Sequence, residues 1–402
     1  MWHRSAGNDA GRTLTARAAA VARFRDDVAA ALGRPVAAED VFAIAVSGGP
    51  DSMALLALAE AAWPGQVIAA TVDHGLRTDA ADEAAMVAEY CRLTPRGRNS
   101  ELGGSSLSLV SHLREGEDPA ALPQNKKRDP RLREDDVGCS LEHDSASGPW
   151  AGSCIPHTTL TLGTPLGTAN LQAAARTARY ALLIDWARST GATILATAHH
   201  ADDQAETFLM RAARGSGLAG LASIRPWQRI EDGPILLRPL LNWRRAELRA
   251  VAEDWNLPFV DDPSNASARY DRTRFRTLLT ENPWLDAGRI ARAAGHLAEA
   301  DRDLRVLEGW LLDTHSLPAK PGERRIDVTD LPREVRRRLA RAVVTAVRHD
   351  RAILTPAWTP ASNIESLLDA LEAGRGATQA GVMASATANI WQFRAAPPRR
   401  DT

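Results

Sequence analysis

The sequence predicts a doubly wound α/β domain on a parallel sheet, followed by a mostly helical C-terminal domain. Three observations carry this. Short apolar runs alternate with helical stretches through the first half of the chain. The runs are continuous rather than alternating, as expected of strands buried on both faces. Each run ends in polar residues, and in open α/β sheets ligands bind beyond the carboxyl ends of the strands.

Thr13 to Leu32 is Ala-rich with helically spaced apolar residues, and Gly33 stops it. Val41 to Val46 reads as a buried strand running straight into Ser47-Gly48-Gly49-Pro50-Asp51-Ser52, after which Met53 to Ala62 is helical. Gln66 to Val72 is a second strand ending in Asp73-His74-Gly75, and Ala80 to Cys91 a further helix. From about Thr94 to Ser153 periodicity lapses, and the composition shifts to Ser, Gly, Arg and Asp. Residues 94–153 are therefore expected to be a disordered insertion on a surface loop. An RNA-contacting arm using Lys126, Lys127, Arg128, Arg131 and Arg133 is the lesser reading, because Asp129, Glu134, Asp135 and Asp136 dilute that charge. Order returns at Ile155. Leu171 to Arg188 is helical, Thr193 to Thr197 is a strand ending in Ala198-His199-His200, and Asp202 to Arg214 is a helix closed by Gly215-Ser216-Gly217. Ala287 to Asp313, Leu331 to Arg348 and Ile364 to Leu371 read as helices, and Ala380 to Phe393 as a small hairpin. The expected division is a helical lead-in over 1–40, a nucleotide-binding domain over 41–277 carrying the insertion, and a helical domain over 278–402 with a short tail.

A chain of 402 residues suggests two or three domains. Its 44% hydrophobic and 25% charged content is ordinary for a globular protein. No apolar stretch nears the ~20 residues of a membrane span, and the polar N-terminus does not read as a secretory signal. Cys91, Cys139 and Cys154 form no CxxC pair, which argues against a disulfide framework or a zinc site and for a reducing cytoplasm. The net charge of −1 gives no global signal for nucleic acid. Basic residues do cluster at Arg333, Arg336, Arg337, Arg338 and Arg341, where phosphate contact and a solvated helix face are both open.

The central feature is SGGPDS between a strand and a helix. Two glycines permit a tight turn, and a helix N-terminus adds partial positive charge, so backbone N–H groups converge on an anion such as phosphate. Ser47 and Ser52 add hydroxyls. Asp51 would repel bare phosphate and better serves a magnesium ion or the nucleotide's surroundings. The loop lacks the lysine of a Walker A motif. Arg176 and Arg179 lie three apart and share a helix face, suited to phosphate or an RNA backbone, or simply to solvent. Asp203 and Glu206 also share a face, suited to an ammonium group or magnesium.

SGGPDS resembles the pyrophosphate loop of the N-type ATP pyrophosphatase superfamily. Val72-Asp73-His74-Gly75-Leu76-Arg77, Ala175-Arg176-Thr177-Ala178-Arg179-Tyr180, His199 to Thr207 with Arg214-Gly215-Ser216-Gly217, and Asp262-Pro263-Ser264-Asn265 with Tyr270, Arg272 and Arg276 are similar in order to blocks of the lysidine synthetases. The resemblance spans Val41 to Arg276 without the insertion. It implies an adenine nucleotide alpha hydrolase-like (Rossmann-like) fold and an ATP-consuming, AMP-forming ligase. The implied partners are free L-lysine and the isoleucine tRNA with a CAU anticodon, whose wobble cytidine is adenylated on its C2 oxygen and then attacked by lysine. It further implies ATP and Mg2+ at Ser47, Gly48, Gly49, Pro50, Asp51, Ser52, Asp73 and His74, with Asp51 on the metal. Lysine falls to Asp203 and Glu206, and catalysis to Asp51, Arg176, Arg179, His200 and Asp203. Arg272, Arg276, Arg337 and Arg341 are expected on tRNA. A homodimer is compatible with the sequence, and no membrane is expected. The rivals are a cytidine thiolase of the same superfamily, which the isolated cysteines disfavour, and a non-catalytic nucleotide- or RNA-binding module.

Overall fold

A computed structural model of the protein describes residues 6–73, 80–94, 154–162, 171–261, 271–359 and 362–397. His74 to Arg77, nearly all of the expected insertion, and Asp262 to Tyr270 lie outside the described residues. Two compact units are present, Met1–Ala213 with Ile224–Ala293, and Arg214–Ser223 with Ala294–Thr402.

The first unit carries α1 (Ala6–Leu32), β1 (Phe42–Ala45), α2 (Pro50–Ala62), β2 (Val67–Asp73), α3 (Ala80–Leu93), β3 (His157–Thr161), α4 (Leu171–Ser189), β4 (Ile194–Ala196) and α5 (Ala201–Ala212). After the short α6 (Leu218–Leu221) of the other unit come β5 (Trp227–Arg229), β6 (Ile235–Leu237), α7 (Arg245–Asp254) and α8 (Asp271–Glu281). The six strands run in the order β3-β2-β1-β4-β6-β5. All neighbours pair in parallel except β5 with β6. Because successive side chains alternate faces, the apolar runs feed two cores. Phe42, Ile44, Val67, Ala69, Ile194 and Ala196 enter one with α2, while Val41, Ala43, Ile68, Ala70, Leu195 and Leu236 enter the other with Leu183 and Trp186 of α4.

Two sequence expectations change here. Residues 1–40 are no separate lead-in: Phe24 and Val28 of α1 are buried in the first core, and Phe24 meets Trp63, which stacks on Phe42 at 4.8 Å. The unit also runs past 277, to Ala293. Cys91 is free and buried.

The second unit takes most of α9 (Ala287–His315), then β7 (Ser316–Leu317), β8 (Glu323–Asp327), α10 (Arg333–Asp350), α11 (Glu365–Glu372), β9 (Ala377–Gln379), β10 (Val382–Thr387) and β11 (Ile390–Ala395). The expected hairpin is β10–β11, but it lies inside an antiparallel sheet ordered β7-β8-β11-β10-β9. Strands β7, β8 and β9 are short and largely polar, so they carry no apolar run by which to read them. Leu339, Val343, Val344 and Val347 of α10 cover the sheet residues Ile326, Trp391 and Phe393.

The α10 arginines are mostly engaged inside the unit. Arg333 pairs with Glu365, Asp369 and Glu372, and Arg337 with Glu334 and Glu365. Arg341 donates to the carbonyl of Ser362. Arg338 reaches the fully buried Asp301 at 2.8 Å. Removing one partner of a buried ion pair strands the other, so Asp301→Asn is expected to cost this unit about 3 kcal/mol, read as a lowered midpoint in urea. No helix among the described residues is long and apolar enough to cross a membrane.

Candidate active site

The carboxyl ends of β1, β2, β4 and β6 face one edge of the parallel sheet, and the expected functional residues follow those strand ends. Beyond β1, Gly48 adopts φ 80° and starts the turn. Gly49 stands as N-cap of α2, with Pro50 at the first helical position and no side-chain cap. The first-turn N–H groups of a helix have no intrahelical acceptor, so α2 presents donors and its positive dipole end at the loop. The turn is held from inside. Ser52 Oγ accepts from the Ser47 N–H at 3.1 Å and donates to the Gly49 carbonyl at 2.9 Å, while Val260 N–H binds the Gly48 carbonyl at 3.0 Å. A Cβ on Gly48 would only touch Glu83 and Met86, at 3.4 Å. Gly48→Ala is therefore expected to cost about 1–2 kcal/mol through its left-handed backbone, not a clash, measurable by chemical denaturation.

His200 joins this loop to α5. It is 2% exposed, with Nε2 3.4 Å from Asp51 Oδ2 and 3.5 Å from Asp203 Oδ2. It also caps α5: Nδ1 accepts from the Asp203 N–H, and Asp203 returns a carboxylate oxygen to the His200 N–H at 3.1 Å. The neutral ring therefore carries its proton on Nε2, toward Asp51. Burial pulls the His200 pKa down, but the Asp51 hydrogen bond and the charges of Asp203 and Asp51 outweigh it and raise it overall. A raised folded-state pKa gives stability present below the unfolded value of about 6.5 and lost as pH rises through the folded value. Wild type should therefore exceed His200→Gln in stability by more at about pH 6 than at about pH 9, as read from paired melting curves.

His199 behaves oppositely. Burial pushes it down to about 3, so it stays neutral. Its Nδ1 lies 2.9 Å from Thr197 Oγ1, and its Nε2 3.5 Å from Arg176 Nη2. A guanidinium only donates, so Nε2 is the unprotonated nitrogen. Arg176 and Arg179 stand 5.2 and 5.9 Å from the Tyr180 ring.

Beyond α5 the network continues into α8. Glu206, 1% exposed, accepts from Arg276 Nε at 2.8 Å, and Arg272 Nε lies 3.2 Å from its other oxygen without hydrogen-bond geometry. Arg272 also sits 3.9 Å from Asp203. Burial raises the Asp203 carboxyl, yet the His200 and Arg272 charges bring it below its usual range. The two arginines expected on RNA thus face the two carboxylates expected on lysine, and Glu206 is already paired. The structure brings together Asp51, His200, Asp203, Glu206, Arg272 and Arg276 in one unit, with Arg176 beside His199. Asp73 ends β2, next to β1, and His74 lies outside the described residues. Arg337 and Arg341 belong to the other unit. Arg238, directly after β6, is absent from the sequence expectation; the signal available is its place behind the short apolar run Ile235–Leu237.

Residues 21–95 and 156–282 match the model of a family described as a PP-loop domain. The chain is 34% identical over 384 residues to the tRNA(Ile)-lysidine synthase of Zymomonas mobilis subsp. mobilis, covering 94% of each chain. It is 37% identical to that of Novosphingobium aromaticivorans, over 89% of each chain. With that of Bradyrhizobium diazoefficiens it shares 34% identity over 89% of this chain and 90% of the relative. Among solved structures, the U34-tRNA thiolase NcsA from Methanococcus maripaludis aligns over 70% of this chain and 80% of that one, with a TM-score of 0.46 and 17% identity. On the strength of its PP-loop domain and of the long alignments with these three synthases, the chain belongs to the tRNA(Ile)-lysidine synthase family.

Proposed function

We propose that this chain ligates free lysine to C2 of the wobble cytidine in the CAU anticodon of an isoleucine tRNA, using ATP and releasing AMP and pyrophosphate. The observation that carries the reading is the chain of close polar contacts from the phosphate loop through His200 to Asp203, Asp51 standing 3.4 Å from His200 and Asp203 hydrogen-bonded to it, which ties a nucleotide cradle to an ionised carboxylate. ATP lies with its phosphates over Ser47 to Ser52. The cytidine C2 oxygen bonds to the α-phosphorus as the bond to pyrophosphate breaks. The lysine ε-amine then bonds to C2, the C2–O bond breaks, AMP leaves, and the amine gives up a proton.

Asp51 suits a magnesium ion, because its Oδ1 is buried with no hydrogen-bond partner among the described residues. Mg2+ is ordinarily held by one or two carboxylates plus substrate phosphates, and when bound it would neutralise phosphate charge. Asp203 takes the lysine ammonium, while Glu206 positions Arg272 and Arg276. Arg176 and Arg179 stand for phosphate. The tRNA, free lysine, a cytoplasmic location and a homodimer belong to the same proposal.

The test is purified chain with ATP, magnesium, radiolabelled lysine and an unmodified CAU-anticodon isoleucine tRNA, following label into RNA. Label in RNA supports the reading. ATP split to AMP and pyrophosphate without label would discard lysine as the nucleophile, and no ATP cleavage would leave a binding module.

A further inference from the structure

We propose that Arg238 and Arg176 form a phosphate-binding subsite against Tyr180, beyond the carboxyl ends of β4 and β6. The inference rests on the functional reading above and extends it to a residue that reading does not use.

Arg238 is 8% exposed. Its Nη1 donates to the Arg225 carbonyl at 2.8 Å, and its Nε is buried with no hydrogen-bond partner among the described residues. The guanidinium lies within hydrogen-bonding reach of the Tyr180 hydroxyl, which is buried and, among the described residues, has no partner in good geometry. Among the described residues no carboxylate pairs with Arg238, Arg176 or Arg179, although arginines elsewhere in this unit, such as Arg244, Arg249 and Arg276, have one. Burial pushes both Arg238 and Arg179 down, and Arg176 disfavours the charge on each. The same charges of Arg238 and Arg176 help keep His199 neutral.

A buried cation without a counter-ion is costly, and buried charges are ordinarily paired. Here a buried guanidinium and a hydroxyl, neither Arg238 Nε nor Tyr180 Oη having a hydrogen bond of good geometry among the described residues, lie close to the exposed Arg176, and the neighbouring His199 cannot supply a charge of either sign. A polyoxygen anion fits that set. A guanidinium fork matches phosphate in a bidentate way that an ammonium does not. The place fits too, since ligands in open α/β sheets bind beyond the strand ends. If Arg238 served only to tether the Arg225 carbonyl, one donor would suffice and Nε would have no reason to be buried beside the Tyr180 hydroxyl.

The phosphate could come from ATP or from the RNA backbone, and binding measurements separate them. Arg238→Lys keeps the charge and one donor but loses the fork. Dissociation constants are measured, without turnover, for α,β-methylene ATP with magnesium and for the unmodified CAU-anticodon tRNA transcript. One of the two should rise about tenfold, the loss of one charge-assisted contact. A rise for the analogue assigns the subsite to the nucleotide, and a rise for the transcript assigns it to a phosphodiester. Both constants within about twofold of wild type overturn the subsite. Should Arg238→Lys fail to fold, Arg176→Gln at its exposed position must give the same selective loss, and its failure to do so is equally decisive. Wild-type chain that binds both ligands yet attaches no lysine sinks the ligation reading alone.

Discussion

Asp51→Asn is expected to lower lysine incorporation by about 10²–10³-fold while leaving the protein folded. The side chain does two things at once. Oδ2 lies 3.4 Å from His200 Nε2, a role the asparagine carbonyl oxygen can retain. Oδ1 is buried beside the phosphate loop with no partner among the described residues, and there the negative charge is what a magnesium ion needs. Metal-assisted charge neutralisation at a transferring phosphoryl group is worth several kcal/mol, and each 1.36 kcal/mol is about tenfold in rate. The loss should appear in AMP release as strongly as in labelled RNA, because adenylation precedes lysine attack. It should be partly relieved by raising magnesium and should come with an unchanged melting curve. Near wild-type AMP release from a folded variant would remove Asp51 from the metal and leave it only as the partner of His200.

The phosphate loop is legible in the sequence because its physics is local. A buried strand, two glycines, a proline at the first helical position and a helix follow one another without a gap, and no distant residue is needed to shape the turn. The capping box of α5 is nearly as local: His200 and Asp203 are three residues apart, and strand end and helix start lie side by side in the chain. The partners of the charged residues are another matter. Arg276 meets Glu206 across 70 residues, and Arg337 meets Glu365 across 28. Counting arginines along α10 finds a basic helix, whereas the folded unit surrounds Arg333 and Arg337 with Glu334, Glu365, Asp369 and Glu372. Spacing tells which side chains share a face, not what that face meets. The same limit hides Arg238, whose meaning depends on the sheet order that sets β6 beside β4. Strands β7 to β9 escape for a different reason, since they contribute backbone pairing more than apolar burial.

Asp203→Asn and Glu206→Gln are expected to fail in different ways, although the two residues look equivalent in the sequence. Asp203 uses one oxygen on the His200 N–H, and among the described residues the other has only Arg272, at 3.9 Å, so it keeps capacity for an ammonium. Its charge is held by His200 and Arg272 against the cost of burial, which keeps it ionised at neutral pH. The amide can still accept from the His200 N–H but cannot attract a cation. A charge-assisted hydrogen bond contributes about 1.5–3 kcal/mol, so the KM for lysine should rise roughly 10–100-fold with the KM for ATP nearly kept. Glu206 is 1% exposed and already bound to Arg276 and close to Arg272. Breaking a buried pair by removing one partner costs about 3–5 kcal/mol. Both arginines are more than a quarter exposed and water screens them, so about 2–3 kcal/mol of lost stability is expected for Glu206→Gln. Urea titrations and lysine saturation curves on both variants separate the roles. If Asp203→Asn leaves the lysine KM untouched while Glu206→Gln raises it in a stable protein, the ammonium binds at Glu206 after displacing an arginine, and the assignment made here is reversed.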